Sequence, residues 1–211
     1  ADAEMIQGCV IYKDDDVIVL NKPPGIAVQG GTGTERHIDG MLDALQFEVE
    51  GRPKLVHRLD RDTSGVLLLA KKRAALVALH AQLREGGFDK RYLVLVRGRW
   101  RDEKRRVRLA LTKFATREGE RRVRVVQDEG AESETTFRRV STWFDLEPPL
   151  ALLEAELGTG RTHQIRVHLA SRGHPLLADA LYGGASALGM TRQALHAARL
   201  DAAALNKIAG G

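Results

Sequence analysis

The sequence predicts an α+β domain around an antiparallel or mixed sheet. Three observations carry that expectation. Strand-like segments follow one another with few helical patterns between them, an order that suits α+β rather than alternating α/β folds. Residues 66–70, Val-Leu-Leu-Leu-Ala, form an apolar run next to Gly65 and closed by Lys71 and Lys72. Such a run reads as a strand buried on both faces. No Pro/Ser linker, internal repeat or low-complexity tract divides the 211 residues, so a single domain over 1–211 is expected.

Composition narrows the class. With 43% hydrophobic and 29% charged residues, the chain resembles an ordinary globular protein with enough length for a substantial core. No run of about 18 apolar residues occurs, so neither a transmembrane helix nor a membrane partner is expected. The start, ADAEMIQG, lacks the basic and apolar regions of a signal peptide. Cys9 is the single cysteine. It can make no internal disulfide and no cysteine cluster, which fits a reducing, cytoplasmic setting; it is expected as a small apolar strand residue. A monomer is expected. Net charge is +5 and the pI about 9.6. The excess clusters at Arg97, Arg99, Arg101, Lys104, Arg105, Arg106 and Arg108, then at Arg117, Arg121, Arg122 and Arg124. That is the footprint of a nucleic-acid partner, although a solvated basic surface gives the same composition.

The elements follow in order. Residues 10–12 and 17–20 read as short strands flanking Asp14, Asp15 and Asp16. Nothing supplies further metal ligands at fixed offsets, so this acidic cluster reads as a solvated turn. Asn21-Lys22-Pro23-Pro24-Gly25 is a rigid turn, because proline fixes φ and glycine permits positive φ. The Gly30–Gly33 loop is not followed by Gly-Lys-Ser/Thr and is no P-loop. Thr34 is placed as the cap of a helix running to about Phe47, with Ile38, Met41, Leu42 and Leu45 on one face.

Residues 56–71, VHRLDRDTSGVLLLAK, organise the rest. His57 to Ser64 is almost entirely polar, with Leu59 its one large apolar residue. This charged half sits at the mouth of the apolar strand, where a loop on a rigid support suits binding or catalysis. The plainer alternative is a surface loop whose Arg58, Asp60, Arg61 and Asp62 pair with one another in water.

Residues 73–84 form an amphipathic helix with Leu76, Leu79, His80 and Leu83 on its stripe, ended by Gly86 and Gly87. His80 there reads as a packing residue. Residues 90–98, KRYLVLVRG, alternate as a strand with Tyr92, Val94 and Val96 on one face. Val123, Val125 and Val126 suggest a hairpin. Residues 135–143 and 150–157 read as strands around a turn at Pro148 and Pro149. In GTGRTHQIRVHLASRG, residues 158–173, Thr162 can cap a helix with Ile165 and Leu169 facing the core and Gly173 closing it. Arg161 then stands just ahead of that helix, where a guanidinium can hold a carboxylate or phosphate bidentately. His163 and His168 are not spaced as a zinc pair. Residues 194–200 read as a last strand.

Three stretches stand together: HRLDRDTSG at 57–65, KRYLVLVRG at 90–98 and GRTHQIRVH at 160–168. With NKPPG at 21–25, GHPLLAD at 173–179, LYGG at 181–184 and LHA at 195–197, they resemble the motifs of the RluA/RluC-type pseudouridine synthases. The likeness runs from about residue 10 to 200 in the family's order. Its wording is most similar to the ribosomal large-subunit synthase C branch. The resemblance implies the pseudouridine synthase fold, a mixed, mostly antiparallel central sheet with flanking helices and loops. It implies a cofactor-free isomerase acting on uridine, with 23S (large-subunit) ribosomal RNA as partner. It makes Asp60 the catalytic carboxylate, Tyr92 the stacking partner of the uracil and Arg161 the partner of Asp60. Arg58 would displace the base; His57, Thr63, Arg166 and Lys22 are further candidate substrate or RNA contacts. Thr63, with Asp62 and Ser64, is also expected to shape the loop. Members of the family often begin with an S4-type RNA-binding domain, which is expected to be absent here, and the last residues depart from the family's usual final strand.

The chemistry is consistent with that set. Conversion of uridine to pseudouridine breaks N1–C1′ and joins C5 to C1′, with no redox change and no atom gained, so neither a nicotinamide nor a metal is required. Two other classes compete: a non-catalytic RNA-binding or ribosome-assembly module, and a uridine N-glycosidase.

Overall fold

The computed structural model describes residues 1–31, 33–46, 51–86, 88–127, 129–161, 163–184 and 193–202, the side chains of 199–202 excepted. The chain divides into two compact units, Ala1–Asp89 with Ala197–Gly211, and Lys90–His196. No helix among the described residues is long and apolar enough to cross a membrane.

The first unit opens with helix α1 (Asp2–Gly8), which buries Ile6. Cys9 closes this helix rather than lying in a strand. Strand β1 (Val10–Lys13) pairs antiparallel with β2 (Val17–Lys22). The acidic turn between them is built by Asp14, whose Oδ1 accepts from the backbone N–H groups of Asp16 and Val17, both at 2.8 Å. β2 pairs antiparallel with β4 (Ser64–Ala70), whose other edge holds the short β3 (Lys54–Leu55). Leu67, Leu68, Leu69 and Ala70 are buried, as the continuous apolar run requires. Helix α2 (Arg73–Arg84) packs Ala75 and Leu79 onto Val17, Val56, Leu68 and Phe88, with Leu76 and Leu83 beside them. Each fully buried leucine there contributes about 1.5–3 kcal/mol.

The helix expected over residues 34–47 is a 3₁₀ helix over Asp39–Leu45. Thr34 is not its cap, since the Thr34 N–H closes a turn onto Gly31. The expected apolar face nevertheless packs inward, with Ile38, Met41, Leu42 and Leu45 all buried. Seven residues containing Gly40 are too few to sustain an α-helix without tertiary packing, and Phe47 lies outside the described residues.

The second unit is an antiparallel set in the order β5 (Phe88–Arg97), β9 (Leu150–Leu157), β8 (Ala131–Trp143), β6 (Lys104–Ala115) and β7 (Arg121–Val126). Strand alternation separates its faces. Ala151, Leu153 and Ala155 of β9 are fully buried, while Glu154 and Glu156 project from the other side toward Arg91 and Arg138. Helix α3 (Gln164–Ser171) covers the apolar face, and Ile165 and Leu169 join Val94, Val96, Trp100, Phe137 and Leu176. The last strand, β10 (Leu195–Ala202), runs across the sequence boundary between the units.

The basic cluster is partly spent on the protein itself. Arg106 makes a two-point contact with Glu134, Arg108 lies 3.3 Å from the same carboxylate, and Arg122 pairs with Glu120. Lys104, Arg105, Arg117 and Arg121 are exposed.

Candidate active site

The HRLD stretch is the connection of the β3–β4 hairpin. The ladder ends where the Val56 N–H donates to the Leu68 carbonyl at 3.2 Å. His57 then extends it with its side chain, because Nε2 accepts the Leu68 N–H at 3.0 Å. That places a ring proton on Nδ1 and ties the imidazole to β4. Arg58 points out, exposed, with no hydrogen bond or ion pair among the described residues. Leu59 turns inward and anchors the loop at 7% exposure. Asp60 is half-buried.

The backbone at and just after Asp60 is tied down. Its own carbonyl accepts the Thr63 N–H at 3.1 Å, and the next carbonyl, that of Arg61, accepts the Gly25 N–H at 2.9 Å. The Arg61 carbonyl also accepts from Lys22 Nζ at 2.9 Å, and the same ammonium donates to the carbonyls of Pro23 and Ile26. Lys22 is fully buried. An ammonium in that position is tolerated only because its N–H groups meet oxygens. The sequence reading placed Lys22 among RNA contacts. Here it clamps the proline turn to the HRLD loop, with its charge directed into the fold. Thr63 is likewise buried, at 2% exposure, and its N–H helps to close the loop.

Gly65 begins the support strand under a close approach. It has φ +116°, and a Cβ there would stand 2.2 Å from the Ala197 carbonyl oxygen. Only glycine fits both constraints, so Ala197 owes part of its place to the glycine of the HRLDRDTSG motif.

In the second unit Tyr92 lies on β5 opposite Ala155 of β9. It is half-buried and packs against the core cluster that contains Ile165 and Leu169. Arg161 lies in the turn between β9 and α3, exposed, its Nε donating to the Glu132 carbonyl at 3.2 Å. Its N–H donates to Gln164 Oε1 at 3.0 Å.

Gln164 is the residue that sequence reasoning missed. It is 2% exposed. Its Oε1 also accepts from the Thr159 hydroxyl at 2.6 Å, and its amide nitrogen donates to the Glu134 carbonyl and to Thr135 Oγ1. One buried side chain therefore ties the Arg161 turn to β8. The available signal was the turn itself: glycines at 158 and 160 expose amides that need acceptors. The expected cap, Thr162, lies outside the described residues; the helix N-cap is His163, at φ 51°, with no side-chain capping bond.

Arg166 is paired within the fold. Nε and Nη2 each reach an oxygen of Asp179 at 2.9 Å, and its guanidinium carbon stands 5.0 Å from the centre of the Tyr182 ring. Both charged groups are buried. This bidentate pair pins α3 to the Asp179 segment and holds the Arg166 guanidinium inside the fold. The Tyr182 hydroxyl accepts the Val123 N–H at 3.0 Å and contacts His163 Nδ1 at 2.7 Å. His168 is fully buried, and burial lowers its pKa to about 4. Ser133 donates to the Leu109 carbonyl, so its oxygen faces His168 Nε2, 2.7 Å away, as acceptor.

Comparison with known proteins matches these features. A family model described as RNA pseudouridylate synthase matches residues 16–171. The ribosomal large subunit pseudouridine synthase C of Escherichia coli (strain K12) is 47% identical over 199 residues, which cover 90% of this chain and 60% of that protein. That of Haemophilus influenzae is 44% identical, with 91% and 60% covered. The chain thus spans about 60% of the length of the curated relatives it matches. Among solved structures, human RNA pseudouridylate synthase domain containing 1 superposes with a TM-score of 0.73 at 27% identity, covering 90% of this chain and 76% of that one. Motifs, fold and matched length agree, and the chain belongs to the RNA pseudouridylate synthase family.

Proposed function

We propose that this chain isomerises specific uridines of 23S (large-subunit) ribosomal RNA to pseudouridine, with Asp60 as the catalytic carboxylate. The observation that carries the reading is the HRLD loop: a half-buried carboxylate whose backbone is held at Thr63, Gly25 and the buried Lys22. A carboxylate on so constrained a support can be aimed at one atom, which is what attack at C1′ or removal of the 2′ hydrogen needs. The named activity of the large-subunit relatives supports the substrate class.

The remaining roles follow from charge and shape. The target base leaves its stack before reaction, at a cost of a few kcal/mol. Arg58, exposed beside Asp60, fills the vacated position, and basic residues on β6 and β7 hold phosphates. Tyr92 stacks on the uracil. In this reading Arg161 is the guanidinium partner of Asp60, as the family motifs imply. Once N1–C1′ breaks, the bonding pair stays with the uracil as a delocalised anion. The base turns, C5 joins C1′, and the C5 proton is lost as N1 gains one. In this reading the two units act as a single catalytic domain, as a monomer in the cytoplasm.

Tritium release from large-subunit RNA carrying 5-³H-uridine tests the assignment. Wild type is expected to release tritium with retention of a C–C nucleoside, and Asp60→Asn to release none while binding RNA within a few-fold of wild type. Substantial turnover by Asp60→Asn overturns the role of Asp60. Release of free uracil points to a glycosidase instead, and binding without release by wild type points to a non-catalytic module.

A further inference from the structure

Lys90 is the first residue of the KRY segment, and it does not behave as a surface lysine. Strand alternation puts it on the same face of β5 as Tyr92, about 6.6 Å along the strand. Its ammonium occupies the space left by a missing side chain in another motif, for a Cβ on Gly160 would stand 3.0 Å from Lys90 Nζ and would meet nothing else. Gly160 directly precedes Arg161. Lys90 therefore joins the aromatic ring and the arginine turn within one unit. It is half-buried, yet it has no hydrogen bond or ion pair among the described residues. Lys22, the other sequestered lysine, satisfies its charge on three carbonyls.

A partly dehydrated ammonium with no partner is unfavourable. The penalty is visible as a lowered pKa whose cause is burial. Such a group fits a site whose counter-charge arrives with the ligand.

We propose that Lys90 Nζ binds an anionic oxygen of the target nucleotide. This rests on the synthase reading above. The oxygen is either a uracil carbonyl, which gains charge when N1–C1′ breaks and both electrons stay on the base, or a phosphate oxygen flanking the target. In the first case the ammonium stabilises charge that develops during reaction. In the second it fixes the backbone. No proton need be transferred in either.

Wild type, Lys90→Met and Lys90→Arg are compared on 5-³H-uridine large-subunit RNA, with thermal unfolding and RNA binding at several salt concentrations measured alongside. A uracil contact lowers kcat of Lys90→Met at least tenfold with KM within threefold, and Lys90→Arg recovers part of the loss. A phosphate contact instead raises KM and Kd about tenfold and reduces the slope of log Kd against log salt by about 0.7. Either result supports the assignment. Retention of kcat, KM and Kd within twofold by a folded Lys90→Met overturns it. Loss of activity in both variants in step with lost thermal stability also overturns it, leaving Lys90 a packing residue. If wild type binds RNA but releases no tritium, the synthase reading fails separately, and the salt slope of Lys90→Met against wild type alone decides the contact.

Discussion

Lys22 Nζ and the Arg61 carbonyl oxygen stand 2.9 Å apart across 39 residues of chain, in the backbone unit that follows Asp60. Lys22→Met keeps the stem and removes the donors, leaving three carbonyls without this partner. A loss of about 2–4 kcal/mol is expected from stranded acceptors, offset in part by removing a buried charge. Turnover should fall further than stability, because Asp60 loses an anchor. Urea unfolding and tritium release on the same preparations check both. Lys22→Arg is expected not to rescue, since a planar fork does not match three converging carbonyls.

The Arg166–Asp179 pair predicts strong coupling. Arg166→Met leaves a carboxylate buried without its guanidinium and should cost about 3–5 kcal/mol. The double variant Arg166→Met, Asp179→Leu should regain most of that loss, as a denaturation double-mutant cycle will read. If the folded double variant binds RNA with an unchanged salt slope, Arg166 is a pin within the fold. A reduced slope would restore it as a phosphate contact.

His168 predicts a stability slope in mild acid. The folded-state pKa is about 4, below the unfolded value of about 6.5. Between those values the unfolded chain takes up a proton that the folded protein refuses. Stability is therefore full above about pH 6.5, falls as pH drops toward 4, and loses on the order of 3 kcal/mol. Urea midpoints measured from pH 7.5 to 5 isolate this group from most carboxylates. His168→Gln should flatten the slope in that interval.

Gly65→Ala combines two penalties at one position. The backbone has φ +116°, and the added methyl would stand 2.2 Å from the Ala197 carbonyl oxygen. Backbone cannot yield as a side-chain tip does, so loss of several kcal/mol or failure to fold is expected. Gly160→Ala is the contrast. Its methyl meets only the flexible end of Lys90, so thermal stability should hold while activity drops.

Much of this architecture was legible because its signals are local. Alternation along residues 90–98 and 150–157 specified strands and their inward faces, and Gly65 beside the apolar run announced a loop on a buried strand. The family was legible through the wording of the HRLD, KRY and GRTHQIR motifs. Side-chain direction was not legible. Lys22, Thr63 and Arg166 are polar in sequence, but their partners lie far along the chain, at Arg61 and Asp179 in the case of the two cations. A charge pattern shows that a lysine is present, not that three carbonyls will surround it. Helix α1 went unseen because seven residues carry a single buried side chain, Ile6, too little for a periodic signal. Gln164 was hidden for the same reason as Lys22: its value lies in Thr159, Glu134 and Thr135, which only folding assembles.

The division of the chain also bears on the order in which it can fold. The second unit is one continuous segment, Lys90–His196, whereas the first is closed by residues from both sides of it, with Ala197 lying against Gly65. During synthesis the middle segment can complete its strand pairings as soon as it is extruded. The segment bearing Asp60 precedes that unit in sequence but must wait for β10, which follows it, before the backbone over Gly65 is in place. Contacts between such distant stretches are slow to form, so the first unit stays incomplete longest. Completion of the strand that supports the HRLD loop is thereby tied to arrival of β10 rather than to completion of the loop itself.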